Sequence, residues 1–587
     1  METTTFYQQL EQQTSTQTDE NKKQLRKTTI ARLMVFGLLV WLIYATLTRH
    51  MMFGVPAGIT FIGFLWLMKL SVRLNKELTY YKKLHQIVGH AQAPFFSKQT
   101  GLNYQHALHP YASDFDIFGE GSVFQYINTT ETANGEARLA HLLLNPLTSN
   151  THILQQQLAV KELANKPQFL VDYRTLSALI GNSTEANNKL SVWLQSAPFF
   201  SNKKWLPILL WLIPALSIAG IVTAFAVGYF KLLVLAILAN WLMVGLYLKR
   251  VNQIHALVGK QKDILENFNR LNELVNQERF ATETLVELQQ SFTQSTLALK
   301  QLSKLVSLFD QRLNTMLGPI FNSLFLFDLQ CVYRIEKWQQ QHAQHMLKWL
   351  DNMGHFEALT CLGTYAFNHP KHVYPALSDE AIYFEAEDFL HPLMGNKTGV
   401  SNSFKFDQTN NVFIVTGSNM SGKSTFLRAT GVSLLTAMLG LPVYAKRFVF
   451  SPVKLLSSMR IADSLQDSTS YFHAELKRLK LIMDETESSD LPCVLFIDEM
   501  LKGTNSKEKL DGSISIIEKL VTKSAISFIA THDLALGVLE QKFPDKVKNY
   551  SFESAIVNNE LVFDYKIKPG VAQSTNATFL LKKLEIV

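Results

Sequence analysis

The pattern of apolar and polar positions divides the chain into unlike halves. Four uninterrupted apolar runs stand in the first half: Leu33 to Thr48, Met51 to Met68, Trp205 to Phe230 and Leu232 to Leu248, none containing a charged residue. Crossing a hydrocarbon core takes about 20 apolar residues, or about 17 when the ends snorkel. The runs come as two hairpins, connected at Arg49-His50 and around Lys231. Basic residues flank the open ends: Lys22, Lys23, Arg26 and Lys27 before the first, Lys69, Arg73, Lys76, Lys82 and Lys83 after it, Lys203 and Lys204 before the second, Lys249 and Arg250 after it. The positive-inside rule then predicts four spans in an inner or cytoplasmic membrane, with both termini and the large polar segments cytoplasmic. The competing expectation is two buried helical hairpins of a soluble protein.

Beyond the second hairpin the period changes. Between 249 and 317 apolar residues (Ile264, Phe268, Leu271, Leu274, Val275, Leu285, Leu288, Phe292) recur at three- and four-residue spacing, which predicts a long amphipathic helix or helix pair. From about Ala381 short β-rich runs alternate with helical stretches, Val412 to Val415 and Val494 to Ile497 among them, which predicts an α/β domain with a mostly parallel sheet.

Composition sharpens this only in part. With 587 residues, three or four domains are expected at roughly 100–200 residues each. An apolar fraction of 47% and a charged fraction of 18% exclude disorder and collagen. The mean hydropathy of +0.04 averages the apolar runs against a polar remainder. Much of the net charge of +7 sits in the flanks of those runs, so it is no footprint of nucleic acid. Cys331, Cys361 and Cys493 form no CxxC pair, and their odd number cannot close a disulfide framework, so buried thiols in a reducing compartment are expected. The N-terminus is polar and lacks a signal-peptide apolar region.

Candidate chemistry concentrates in the C-terminal part. The strand Val412 to Val415 runs into Gly417-Ser418-Asn419-Met420-Ser421-Gly422-Lys423-Ser424-Thr425, which fits the P-loop pattern GxxxxGK[ST]. Glycines let backbone N–H groups turn towards phosphate oxygens, and the next helix adds positive potential at its N-terminus. ATP and Mg²⁺ are therefore expected, with Lys423 on the β- and γ-phosphates and Ser424 on the metal. The apolar strand Val494 to Ile497 ends in Asp498-Glu499, the first carboxylate placed for Mg²⁺ and the second for polarising the attacking water. A third strand, Ile526 to Ala530, ends in Thr531-His532-Asp533, where His532 suits the γ-phosphate.

These motifs resemble the ATPase domain of the MutS family, within the ABC-type ATPases. GSNMSGKSTFLRATG, DEMLKGTNS and ATHD carry the resemblance, with His391-Pro392-Leu393, Tyr565-Lys566 and Pro569-Gly570 around them. The stretch Asp463 to Glu475 is similar to the family loop between the two Walker motifs, matching at Ser470, Phe472 and Glu475. The resemblance implies that Ser470 reaches the nucleotide of an opposite subunit, and hence a homodimer through the ATPase domains. Upstream, Ser122 to Ala164 is similar to the start of the MutS core, matching at Thr130, Thr132, Gly135, Arg138, Leu139, Pro146 and Leu147. The implied organisation is a polar tail at 1–28, a transmembrane hairpin at 29–71, a cytoplasmic helical region with the core-like segment at 72–204, a second transmembrane hairpin at 205–248, a helical core or lever at 249–375 and an ATPase domain at 376–587. The fold class expected is an α/β P-loop ATPase domain of ABC/MutS type behind an all-α core-like region.

The departures from the family are as informative. Apolar runs and their basic flanks fill the first hundred residues, where the family has a mismatch-recognition domain, and no C-terminal helix-turn-helix extension is expected. Phe118-Gly119-Glu120 matches the family's Phe-x-Glu wedge in letters only. Ser418 replaces a Pro, and Leu501 and Lys502 replace a Gly-Arg pair. The expected function is a membrane-anchored MutS-like ATPase, with (mismatched) DNA binding implied by the resemblance alone. The alternative is an ATP-driven switch or scaffold acting on an unknown protein partner without DNA. A transporter fits poorly, since no LSGGQ-like signature is present and the runs carry almost no ionisable residues.

Overall fold

The computed structural model describes residues 2–48, 51–91, 99–106, 108–181, 184–259, 262–315, 317–394, 399–460, 471–557 and 560–573. Its N-terminal part is all helical. Thr3–Thr48 and Gly54–Gly89 pack against each other along their length, and the polar residues ahead of the first apolar run belong to the same helix. Leu206–Val227 and Lys231–Val258 form the second pair. All four helices are long and apolar enough to cross a membrane by length and composition.

The amphipathic stretch after them folds as a helix pair, Lys262–Gln277 and Glu283–Phe309. Their stripes (Leu265, Phe268, Leu271 and Val275; Leu285, Phe292 and Leu299) are fully buried against Trp349 and Phe356 of a 42-residue helix, Phe327–Asn368. Each such side chain contributes roughly 1.5–3 kcal/mol by leaving water. The long helix extends about 63 Å at ~1.5 Å per residue. It is pinned near its C-terminal end by Glu357, which accepts from the backbone N–H of Glu131 at 2.7 Å and of Thr132 at 3.1 Å, and from the Thr132 hydroxyl. Thr132 in turn caps the Ala133–Leu144 helix. Burial pushes the Glu357 carboxyl up to about 7.

Among its described residues the C-terminal part carries ten strands: β1 (Ala376–Leu377), β2 (Phe384–Phe389), β3 (Asn402–Phe406), β4 (Val412–Gly417), β5 (Arg447–Phe450), β6 (Lys454–Ser458), β7 (Cys493–Asp498), β8 (Ala525–Thr531), β9 (Val547–Val557) and β10 (Glu560–Pro569). The small sheet has the order β1-β5-β2-β3, and the large one β10-β9-β4-β8-β7-β6. In the large sheet β9, β4, β8, β7 and β6 are parallel, with β10 antiparallel at one edge. Continuous apolar runs form β4, β7 and β8 because a parallel sheet is covered on both faces; β4 and β8 are buried at every position. The aromatic rings of Phe404, Phe413, Phe426 and Phe528 meet between the two sheets.

A segment distant in sequence completes this core. Tyr111, Phe115, Ile117 and Phe118 are buried in the same cluster as β2, β4 and β8. Phe115 meets Phe496 edge-on at 5.5 Å and fills the space beside Gly431. Asp114 accepts from the Ser457 hydroxyl at 2.6 Å and from the N–H groups of Met459 and Arg460 at 3.1 and 2.8 Å. Phe118 packs on Phe124 with ring centroids 5.5 Å apart, as a core residue and not an exposed wedge.

Candidate active site

In open α/β sheets the polar chemistry gathers at the carboxyl ends of parallel strands, where the strand order switches. Here β4 lies beside β8, and β7 lies on the far side of β8, so Gly417, Asp498 and Thr531 end at the same edge of the sheet. The turn after β4 is too tight for ordinary residues at its ends. A Cβ on Gly417 (φ +153°) would stand 2.7 Å from the Phe552 carbonyl oxygen, and Gly422 has φ +109°. Met420 takes a left-handed φ of 68° between them. The helix Lys423–Met438 starts directly after the turn.

The expected residues converge. Lys423 Nζ donates to the carbonyls of Gly417 at 2.7 Å and Ser418 at 2.8 Å. The Ser424 hydroxyl donates to Asp498 Oδ2 at 2.5 Å. His532 Nδ1 lies 3.0 Å from Glu499 Oε1, and Glu499 has a left-handed φ of 57° that turns its carboxylate away from the strand line. Asn419, Met420, Ser421, Gly422, Lys423, Ser424, Thr425, Asp498 and Glu499 line one pocket of about 510 Å³. Gly417 closes the back of the turn and His532 stands at the rim through Glu499. The Ser421 hydroxyl is buried without a hydrogen-bond partner among the described residues, so the turn holds an unsatisfied polar group beside this pocket. Ser470 lies outside the described residues.

Local electrostatics follow from burial and these neighbours. Burial lowers the Lys423 pKa, against the opposing pull of Asp498 and Glu499. Burial pushes Glu499 upward, but the His532 hydrogen bond and the Lys502 charge outweigh it, and the carboxyl lies below its ordinary value.

Several lining residues escape sequence reasoning. Phe389, Leu390, Met394, Val400, Phe426 and Phe552 make the apolar wall of the pocket. They come from scattered elements, and only Phe389, at the end of β2, carries a local signal in the alternation of its strand. Asn402 joins this wall to the edge hairpin, donating to the Tyr565 carbonyl at 3.0 Å and accepting from Ile567 N–H at 2.8 Å. Glu475, noted only as a pattern match, is buried and accepts the N–H groups of Leu501 at 2.6 Å and Lys502 at 3.0 Å, so it holds the chain just after Glu499. Lys502, noted only as a departure, brings its ammonium to 3.8 Å from Glu499 Oε2.

Fold and side-chain placement define an open α/β domain with a polar cluster at its switch point. The family profile for MutS domain V matches residues 413–580. DNA mismatch repair protein MutS of Thermotoga maritima is 28% identical over 239 residues, 40% of this chain and 29% of that protein. MutS protein homolog 4 of Homo sapiens is 28% identical over 206 residues, 33% of this chain and 21% of its own length. The matched stretch thus covers less than a third of either relative. The C-terminal domain resembles the MutS-family ATPase domain, and homology points to an ATPase-type domain.

Proposed function

We propose that the protein is a membrane-anchored, Mg²⁺-dependent ATPase whose nucleotide cycle drives a conformational change. The observation that carries this reading is the meeting of Lys423, the Ser424–Asp498 pair and the Glu499–His532 pair at neighbouring strand ends of one sheet. The pocket suits a nucleoside triphosphate: an apolar aromatic wall for the base, and a turn with left-handed glycines and an unsatisfied Ser421 hydroxyl for phosphate. Lys423, now resting on the carbonyls of its own loop, would swing to the β- and γ-phosphates. Ser424 and Asp498 would hold Mg²⁺, which when bound neutralises charge on the phosphoryl oxygens. Glu499, kept ionised by His532 and Lys502, would orient the attacking water and accept its proton, and His532 would hold Glu499 and the γ-phosphate side in register. Gly417, Asn419, Met420, Gly422 and Thr425 would shape the phosphate cradle. A second copy would complete the site through Ser470.

Four apolar helices with their broad faces exposed support a multi-pass membrane protein, and the basic flanks favour cytoplasmic termini and a cytoplasmic ATPase domain. The domain organisation set out above is retained, with residues 110–127 serving the ATPase core as well. DNA binding rests on the relatives alone. The reading without DNA, a switch acting on a protein partner, is favoured by the long helix Phe327–Asn368, whose N-terminal end packs on the second apolar hairpin. Purified full-length protein is expected to hydrolyse ATP only with Mg²⁺, and Lys423→Ala and Glu499→Gln to reduce the rate at least a hundredfold. Unchanged turnover in both variants would reject the ATPase. DNA titrations with homoduplex, mismatched and branched substrates at several salt concentrations separate the two partner readings.

A further inference from the structure

Between Arg312 and Asp328 the chain carries no charged residue (LNTMLGPIFNSLFLF), yet it is too short to be read as a span. Its centre folds as the helix Leu317–Phe325, bracketed by the two long helices that end at Phe309 and begin at Phe327. This short helix packs on Leu206–Val227 and Lys231–Val258. The contact is polar and specific. Asn240 donates to the Ser217 hydroxyl at 2.9 Å and to the Ser323 carbonyl at 2.7 Å, and Trp241 Nε1 donates to the Ser323 hydroxyl at 2.9 Å. Ser217 and Asn240 are fully buried.

The depth of that contact matters. Ser217 stands about 16 Å along its helix from Leu206 at ~1.5 Å per residue, and Asn240 about 14 Å from Lys231. Both are close to half of a ~30 Å hydrocarbon layer. Ser323 is therefore held at mid-depth of the second hairpin. The charged groups that bracket the run are paired: Arg312 meets Asp328 at 2.9 Å and reaches Asn252 at 2.9 Å, and His255 meets Asp310 at 3.0 Å.

Backbone that turns back inside a hydrocarbon layer must have its polar groups satisfied by protein. The turn at Leu326 meets that requirement. Asn322 Oδ1 accepts from the Asp328 N–H at 2.9 Å, Gln330 N–H donates to the Leu326 carbonyl at 3.0 Å, and the Gln330 side chain donates to the Phe325 carbonyl at 3.0 Å. Meanwhile Leu313, Leu317 and Ile320 are left 54%, 42% and 52% exposed. Apolar side chains left exposed on an element that packs against a span fit acyl chains and not water.

We infer that Leu317–Phe325 is a fifth membrane element, a re-entrant helix whose outer face contacts lipid acyl chains. This rests on the reading of the second hairpin as membrane-spanning. It places the short helix that joins the two long ones inside the bilayer, so that motion of Phe327–Asn368 is delivered to lipid and to the second hairpin together.

Depth measurement by spin labelling tests this in the full chain. Single cysteines are introduced as Ile320→Cys, Leu317→Cys, Val222→Cys on a span face and Leu297→Cys on the Glu283–Phe309 helix, the native thiols being buried in the folded protein. The proteins are reconstituted into phosphatidylcholine–phosphatidylglycerol vesicles, and collision with oxygen is compared with collision with a water-soluble nickel chelate. The oxygen-to-nickel ratio at 320 is expected several-fold above that at 297 and close to that at 222, with 317 in between. A high ratio at 222 with water-like ratios at 320 and 317 would overturn the re-entrant helix alone. A water-like ratio at 222 as well would overturn the spanning reading beneath it.

Discussion

The two apolar hairpins look alike in sequence, but they are joined to the rest of the protein in opposite ways. Both reach the helix Phe327–Asn368, at opposite ends. The first hairpin does so through its polar extension: Thr3 donates to the Phe367 carbonyl at 3.2 Å, the Tyr7 hydroxyl to Asn368 at 3.0 Å, and Tyr7, Leu10, Leu84, Ile87 and Val88 pack with Val171 beside Phe367. Its apolar stretches mainly face outwards, with nothing buried in the most apolar window of Met51–Gly89. The second hairpin is joined within its apolar length, by the Asn240–Ser217–Ser323 contact and by a close helix crossing at Gly220. Apolar length alone cannot separate a tether from a working part. The polar and small residues inside the run do, because in lipid they are the groups that gain from a protein neighbour.

The largest expected effect tests the helix that the hairpins share. Glu357 has a folded pKa raised to about 7 from an ordinary 4.5, so the folded state holds the proton more tightly than the unfolded state. Its contribution is full below about pH 4.5 and is lost as pH rises through 7, amounting to as much as ~3 kcal/mol. Thermal unfolding of wild type and Glu357→Gln across this range should show the wild type losing ground to the variant as pH rises. A constant difference would remove the buried carboxyl from the account.

Next comes the crossing of the second hairpin. A Cβ on Gly220 would stand 2.7 Å from Leu233 backbone atoms, whereas one on Gly63 meets nothing within 4 Å. Gly220→Val should cost about 2 kcal/mol by forcing the helices apart, and Gly63→Val less than about 0.5 kcal/mol. Equal melting temperatures in detergent would erase the contrast between the hairpins. The smallest effect is expected for Asn240→Ala, about 1 kcal/mol, since interhelical hydrogen bonds in lipid are individually modest. A melting temperature unchanged from wild type would show the polar contact to be dispensable.

Much of the candidate site was legible because its motifs are local. A strand, a glycine turn and a helix start within one stretch of chain place Gly417, Lys423 and Ser424, and the apolar strands ending at Asp498 and Thr531 announce the carboxylates and His532. Glu475 was visible as a letter in a pattern, but its grip on the Leu501 and Lys502 N–H groups needs a fold that brings two separated segments together. The aromatic wall from Phe389 to Phe552 was silent for the same reason. Segment 110–127 falls inside the helical region expected at 72–204, yet its Phe115 completes the core between β7 and the Lys423–Met438 helix.

The sequence by itself determined the elements whose cause is periodic or contiguous. These are the four long apolar helices, the amphipathic helix pair, the buried parallel strands and the glycine turn, because burial on one face, on both faces or all round leaves its own spacing in the chain. Only the tertiary structure decided which hairpin is worked into the helical arms, and that the short helix Leu317–Phe325 packs against the middle of the second one. Those facts depend on hydrogen bonds such as Asn240 to Ser323, made between residues far apart in the chain, and no local pattern encodes such a partner.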